Sequence, residues 1–424
     1  MIKKDEMIVA KDIYYDLNDI KTQLNNNVMV VGGSGCGKTR SIVCPNILQA
    51  TGSYIIADPK GNLYDKYADY LHKKGYEVKI VNFTDPAKSA HYNFLDFIRN
   101  TQDVLKIAHM LTYSDQNGIC RTPDPFWDEA TELLYQSLIA YLCFHRPEKD
   151  RTLESIFKLI ASGRVPEDNS DAESALDVIM NEIGRRNSRD FAYKQYLKYR
   201  TGAGKTIRSI LITANTKLGA FDTVELNRMM GRSEIDFARI GRQKTAIFVV
   251  VSDTDRSMDT QANIFFTQAM NELCLYADTE CSDQRLPVPV RFILDDFATN
   301  CKIVDFPRMI SSIRSRGISV MLLLQAEGQL RSSYGNDAPT IISNCDTYVY
   351  LGGNDPDTAN AIAIRCDLPL RKILYMPVGT NWIFRRGQLP VNGRNFVLED
   401  YEFERNRSSR PMSSDAFSLP PNAR

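Results

Sequence analysis

Nowhere does this chain carry an apolar run long enough to cross a membrane. Stretches such as Thr245–Val251 and Ile318–Leu324 end far short of the ~18 residues a spanning helix needs. The start, Met1-Ile2-Lys3-Lys4-Asp5-Glu6, has no apolar segment of the kind a secretory signal requires. Neither sign of charge is in excess, with Lys+Arg and Asp+Glu at 52 each, so any nucleic-acid site has to be a local patch. The nine cysteines are scattered with no C-x-x-C pair, which fits a reducing cytosol better than a disulfide framework or a structural zinc. Four histidines leave little material for a His-rich metal centre. These absences predict a soluble cytoplasmic chain with no transmembrane segment of its own. At 424 residues it is too long for one ordinary core, which predicts two domains or one domain with a large insertion.

What is present begins with Val28-Met29-Val30-Val31 running into Gly32-Gly33-Ser34-Gly35-Cys36-Gly37-Lys38-Thr39. Gly32, Gly37, Lys38 and Thr39 match the G-x-x-x-x-G-K-[ST] phosphate loop at its required spacing. Glycines let consecutive backbone N–H groups turn inward as an anion nest, and the helix that follows aims its N-terminal dipole at the same phosphates. Lys38 can reach the β- and γ-phosphates of ATP, and the Thr39 hydroxyl can coordinate Mg2+. The cofactor-binding set is then Gly32, Gly33, Ser34, Gly35, Cys36, Gly37, Lys38, Thr39 and Arg40. The alternative is a glycine-rich turn that binds nothing.

Further along, Ser53–Asp58 reads as a buried strand ending in the Asp58-Pro59-Lys60-Gly61 turn, Tyr64–Lys74 as a helix and Val78–Phe83 as a strand. Met7-Ile8-Val9 reads as a lead-in strand. Alternating strands and helices of these lengths predict an α/β fold, a doubly wound and mainly parallel sheet with ligands at the carboxyl ends of its strands. From Asn100 to Arg232 the strand pattern gives way to amphipathic helical stretches, among them Phe126–Phe144, Phe191–Tyr199 and Lys205–Lys217. Strands return at Thr245–Val251, Arg291–Asp296, Ser319–Gln325, Thr347–Leu351 and Trp382–Arg385. The expected division is a nucleotide-binding domain over 1–99 and 243–400, an inserted all-α domain over 100–242, and a disordered tail over 401–424.

The strand at Phe292 ends in Asp295-Asp296. Asp295 can join Thr39 on Mg2+, and Asp296 can polarise the attacking water; the alternative is a solvated turn. Gln325 ends the next strand, where an amide can orient water or sense the γ-phosphate, or can merely satisfy backbone. Arg314 lies between these two strands and reads either as a finger for a neighbouring subunit or as an ordinary solvated arginine. Gly202-Ala203-Gly204-Lys205-Thr206 imitates a phosphate loop, but Tyr199 stands where the first glycine belongs, and it reads as a helix start. Arg185, Arg186, Arg189, Lys194, Lys198, Arg200, Lys205 and Arg208 interleave with Phe191, Tyr193, Tyr196 and Tyr199. That mixture suits a groove for single-stranded nucleic acid, and equally a salt-bridged face opposite the acidic stretch before it.

Taken in order, these motifs resemble the coupling ATPases of conjugative type IV secretion, the VirD4/TraG group, in the form found in Gram-positive elements. The matching stretches are Gly32–Thr39, Asp58–Gly61, Asp124-Pro125-Phe126-Trp127, Lys205–Ile210, Leu294–Ala298, Ile313–Gly317, Gln325-Ala326 and Asn344-Cys345-Asp346. The resemblance implies a RecA-like P-loop ATPase with an inserted all-α domain, Mg2+-dependent, DNA-stimulated and assembled as a homo-hexamer around single- or double-stranded DNA. It implies Arg314 as the trans-acting arginine and Gln325 as the sensor. The implied partners are a relaxase–DNA complex and the secretion channel, met at the cytoplasmic face of the plasma membrane. Two departures stand out. The chain reaches its phosphate loop without the group's membrane helices, and Asp296 stands where relatives carry Glu. The alternatives kept open are a nucleotide-gated adaptor of little turnover and a generic DNA translocase or helicase.

Overall fold

Continuous apolar runs become the buried strands, and the loops at their carboxyl ends gather the polar residues. The structure, a computed structural model, describes residues 3, 5–113, 124–164, 172–202, 204–298, 301–399 and 401. The stretch expected to be a disordered tail lies outside these, Tyr401 excepted. In chain order the strands are β1 (Glu6–Ala10), β2 (Ile13–Asp16), β3 (Val28–Val31), β4 (Ser53–Ala57), β5 (Glu77–Asn82) and β6 (Thr245–Val250). The others are β7 (Val290–Leu294), β8 (Ile318–Leu324), β9 (Thr347–Tyr350), β10 (Thr380–Arg385) and β11 (Val391–Arg394).

Nine of them form one sheet in the order β11-β10-β9-β3-β8-β7-β4-β6-β5. Pairing is parallel from β9 across to β5 and antiparallel at β9–β10 and β10–β11. Every residue of β3, β4, β6, β7, β8 and β9 is buried, as strands covered on both faces must be. The polar, largely exposed β11 is tolerable because it lies at the edge. Met7-Ile8-Val9 is a strand but does not lead into this sheet. It pairs with β2 in a separate ribbon, and its apolar side chains pack on the sheet face carrying Val28, Val30 and Ile56.

The strand order decides the site. β8 lies between β3 and β7, so the carboxyl edge presents, side by side, the loop after β3, Gln325 after β8, the acidic pair after β7 and Asp58 after β4.

Between β5 and β6 the described elements are helical, from Thr101–Tyr113 to Phe237–Arg242. Their apolar side chains form one continuous core with the sheet face carrying Met29, Ile55 and Leu322. One buried polar node ties two of these helices. Asp177 completes a capping box with Ser174 at the start of Ala175–Arg186. It accepts from Tyr196 Oη at 2.8 Å, and from Arg200 Nε and Nη2 at 2.6 and 3.1 Å. Burial alone would raise the Asp177 carboxyl, but Arg200, Ser174 and Tyr196 together outweigh it and bring it down to about 2.

This depressed carboxyl stabilises the fold above the ordinary carboxylate range and loses that contribution as pH falls toward 2. Asp177→Asn should cost about 3 kcal/mol at neutral pH, because it leaves Arg200 half-buried without its charge partner. The deficit, read from urea midpoints, should shrink between pH 4 and pH 2. An equal deficit at both ends would show that the carboxylate charge is not what holds these helices.

Candidate functional site

The loop after β3 folds as its glycines require. Gly35 and Gly37 take left-handed φ values of 75° and 91°, and Gly32 is packed so closely that a Cβ would lie 2.6 Å from Cys36 Sγ. Gly32 N–H donates to Leu324 O of β8 at 3.0 Å and Gly33 N–H to Gly352 O at 2.8 Å, so the strands on either side hold the loop. Lys38 is only 8% exposed, and its Nζ donates to the loop's own Gly32 and Gly33 carbonyls at 2.6 and 3.4 Å. A π-helical turn, Thr39–Val43, leads from Thr39 into the α-helix Cys44–Gln49. Pro45 cannot donate to Ser41, and the turn before it widens so that Cys44 N–H reaches Thr39 O.

Two groups far apart in sequence meet here. Thr39 Oγ1 donates to Asp295 Oδ2 at 2.6 Å. Asp295 is 8% exposed, and burial raises its pKa; the Thr39 bond offsets part of this, while the Asp296 charge adds to it. A buried carboxylate and a hydroxyl touching each other, beside a cationic loop, are the donor set a hard divalent cation takes. Asp296 follows in a tight turn with φ 51°, a left-handed conformation that short acidic side chains tolerate. Gln325 Nε2 lies 3.5 Å from Asp296 Oδ1, and Gln325 N–H is held by Gln329 Oε1 at 2.8 Å.

Lys38, Thr39, Asp295, Asp296 and Gln325 all line one cavity of about 390 Å3 at the carboxyl edge of the sheet. Its far wall is the Asp58–Lys60 turn together with Asp253 after β6. Burial raises the Asp58 carboxyl too, and Leu63 and Tyr64 N–H groups, at 2.8 and 2.9 Å, hold it at the start of helix Asn62–Lys73. The cradle therefore fits a nucleotide phosphate chain: inward glycines, a buried ammonium, and a carboxylate–hydroxyl pair.

Other sequence-derived residues fall elsewhere. Arg314 sits before β8, at the amino edge of the sheet, bonded to Asp19 O at 2.8 Å. Arg40 turns outward to an ion pair with Glu399. The basic, aromatic stretch splits. Tyr196 and Tyr199 are buried at 2% and 3% exposure, Tyr193 packs against Gly184, and Phe191 is partly buried against the core. The aromatics therefore build the helical core and offer no stacking platform, while Arg185, Arg186, Arg189, Lys194, Lys198 and Lys205 stay exposed. The look-alike loop opens helix Gly204–Lys217, with Ala203 outside the described residues. Sequence reading missed Asn395, which donates to Cys36 O of the loop at 3.2 Å, and Asp253, 3.8 Å from Lys60. Neither lies in a motif; only tertiary packing brings them in.

A profile of the family described as "Type IV secretory system Conjugative DNA transfer" matches residues 1–366. The chain belongs to this family. Among curated relatives, it is 22% identical over 357 residues to the "Probable conjugal transfer protein TraG" of Sinorhizobium fredii, covering 80% of this chain and 52% of that one. To the "Type IV secretion system-coupling protein VirD4" of Bartonella henselae it is 20% identical over 358 residues, covering 81% and 53%. The chain thus spans about half the length of the curated relatives it matches. Among solved structures it is similar to the bacterial conjugative coupling protein TrwBdeltaN70 in complex with sulphate, with TM-score 0.64, 14% identity, and 93% and 90% of the two chains covered. A structure of TrwB with ADP and Mg2+ matches at TM-score 0.63, 14% identity and the same coverage. The fold is the RecA-like P-loop α/β fold of these proteins. No helix among the described residues is long and apolar enough to cross a membrane.

The packing of the loop separates two glycines. Gly32→Ala places its Cβ against Cys36 Sγ and, at 2.9 Å, Leu351 Cβ, whereas Gly33→Ala stays 3.5 Å from Gly353. We expect Gly32→Ala to cost about 1–3 kcal/mol in thermal or urea unfolding and to weaken nucleotide binding, with Gly33→Ala milder on both. Equal effects would show that the loop does not pack in this way.

Proposed function

We propose that this chain is a Mg2+-dependent P-loop ATPase that couples ATP hydrolysis to DNA transfer in conjugation. The observation that carries this reading is the convergence of Lys38, the Thr39–Asp295 pair, Asp296 and Gln325 on one cavity. Lys38 and the Gly32–Thr39 amides bind and orient the phosphates, and Thr39 with Asp295 hold Mg2+, which supplies Lewis-acid stabilisation when bound. Asp296 takes the proton of the attacking water, and Gln325, within reach of the same carboxylate, orients it. Membership of the family and the nucleotide complexes of TrwB support the assignment.

Arg314 cannot serve its own site. It precedes β8 while Gln325 follows it, a separation of roughly 20 Å at ~3.3 Å per residue. An arginine on the opposite edge suits a neighbour's nucleotide, which is the basis for a ring, a homo-hexamer around single- or double-stranded DNA. The exposed Arg185–Lys205 cations are then phosphate contacts, made without base stacking. The partners in this reading are a relaxase–DNA complex and the type IV secretion channel at the cytoplasmic face of the plasma membrane. A second reading, a nucleotide-gated adaptor with little turnover, draws on Asp296, whose carboxylate is one methylene shorter than the usual Glu.

Steady-state ATPase assays with and without single-stranded DNA decide between them. In the motor, Asp296→Asn should cut turnover on the order of 100-fold or more. Asp296→Glu should retain it at a small stability cost, since Glu suits the left-handed turn less well than Asp. In an adaptor all three forms hydrolyse equally slowly.

Lys38→Ala and Arg314→Ala should each abolish activity alone. Mixing them should restore part of it, wherever an intact Lys38 loop meets an intact Arg314. No recovery from subunits shown to co-assemble would count against the shared site.

A further inference from the structure

A cavity of about 500 Å3 opens at the amino edge of the sheet, the end opposite the Lys38 loop. Its walls come from the short helix Asp19–Thr22, the Thr51-Gly52 turn and the starts of β7 and β8. Lys21 on this wall is paired with Asp16 at 2.9 Å. Asp19, only 6% exposed, receives the Arg285 fork at 2.6 and 3.1 Å, and its carboxylate also faces Arg314 Nε at 3.6 Å.

Arg291 is different. It is 7% exposed, and its Nε reaches Ser319 Oγ at 3.3 Å, with the Tyr54 phenol nearby. Among the described residues no carboxylate lies within ion-pair distance of it. Arg285 and Arg314 share the Asp19 carboxylate, while Arg291 faces Ser319. With Asp5 and the Lys21–Asp16 pair also on the wall, the lining carries four cations against three carboxylates, an excess of one positive charge. A guanidinium does not shed its proton inside a protein, so burial without a counter-charge is costly unless an anion arrives. The paired N–H donors of Arg291 match the oxygens of a phosphoryl group, and an anion there would balance the excess. The volume also lies within the ~300–1,000 Å3 usual for small-ligand sites.

We propose that this cavity is an oxyanion site whose ligand is a phosphate-bearing small molecule, with Arg291 as its most buried contact and Arg285 beside it. The site is separate from the Lys38 loop and does not depend on hydrolysis there.

The test uses the full chain carrying Lys38→Ala, so that the phosphate loop does not dominate, titrated with inorganic phosphate by calorimetry at constant ionic strength. Saturable binding is expected, weakened about tenfold or more by adding Arg291→Gln. Should that variant fail to fold, Arg285→Gln gives the same readout, since it removes a contact and leaves Asp19 less neutralised. A parallel titration with ADP shows whether the site also takes the nucleoside, and either order of affinity supports the proposal. Absence of phosphate binding to the Lys38→Ala chain would overturn it, as would binding unchanged by both arginine variants. Phosphate uptake that appears only when ADP-loaded wild-type chain is added would also overturn it, in favour of a phosphate presented by a second copy.

Discussion

The hydrogen bond from Thr39 to Asp295 is the contact on which the rest of the site depends. Its partners come from loops after two strands that are not neighbours, since β8 lies between them. For the bond to form at 2.6 Å, three parallel strands must keep their register, and the loop after β3 must be pinned by β8 and by Gly352. It also places a carboxylate where burial works against its charge, so that a cation entering there relieves an existing penalty. Lys38 is arranged in a similar way. With its ammonium bonded to the carbonyls of its own loop, it is held ready beside the anion nest.

β8 gives the molecule a polarity. Its carboxyl end carries Gln325 into the nucleotide cavity, while its amino end follows Arg314 and helps wall the cavity that holds Arg291. The second ribbon, β1 with β2, and the helix Asp19–Thr22 complete the arginine-lined edge, which gives the polar segment before the phosphate loop a structural role.

In the helical region the same side chains looked suited to two purposes. Tyr196 and Arg200 belong to a basic, aromatic run, yet both serve Asp177 at the start of a neighbouring helix. Burying an aromatic ring in a core gains far more than exposing it for an occasional ligand, so helix packing claims the rings and leaves the cations outside. Any nucleic acid met by this surface meets charge without stacking.

Local sequence determined the phosphate loop, the strands and their approximate bounds, and the acidic strand end. Each depends on short-range causes: glycine conformational freedom, apolar runs that must be covered on both faces, and Pro or Gly at the breaks. The spacing of Gly32, Gly37, Lys38 and Thr39 was enough to name the nucleotide chemistry. The order of strands was decided only in three dimensions, because it depends on which faces bury against which helices. That order brings Asp295 to Thr39, adds Asn395 and Asp253 to the nucleotide end, and sends Arg314 to the far edge. It also leaves Arg291 without a counter-ion among the described residues. In the sequence Arg291 merely opens an apolar strand; its lone buried charge exists because the cross-strand residue on β8 is Ser319 and not a carboxylate.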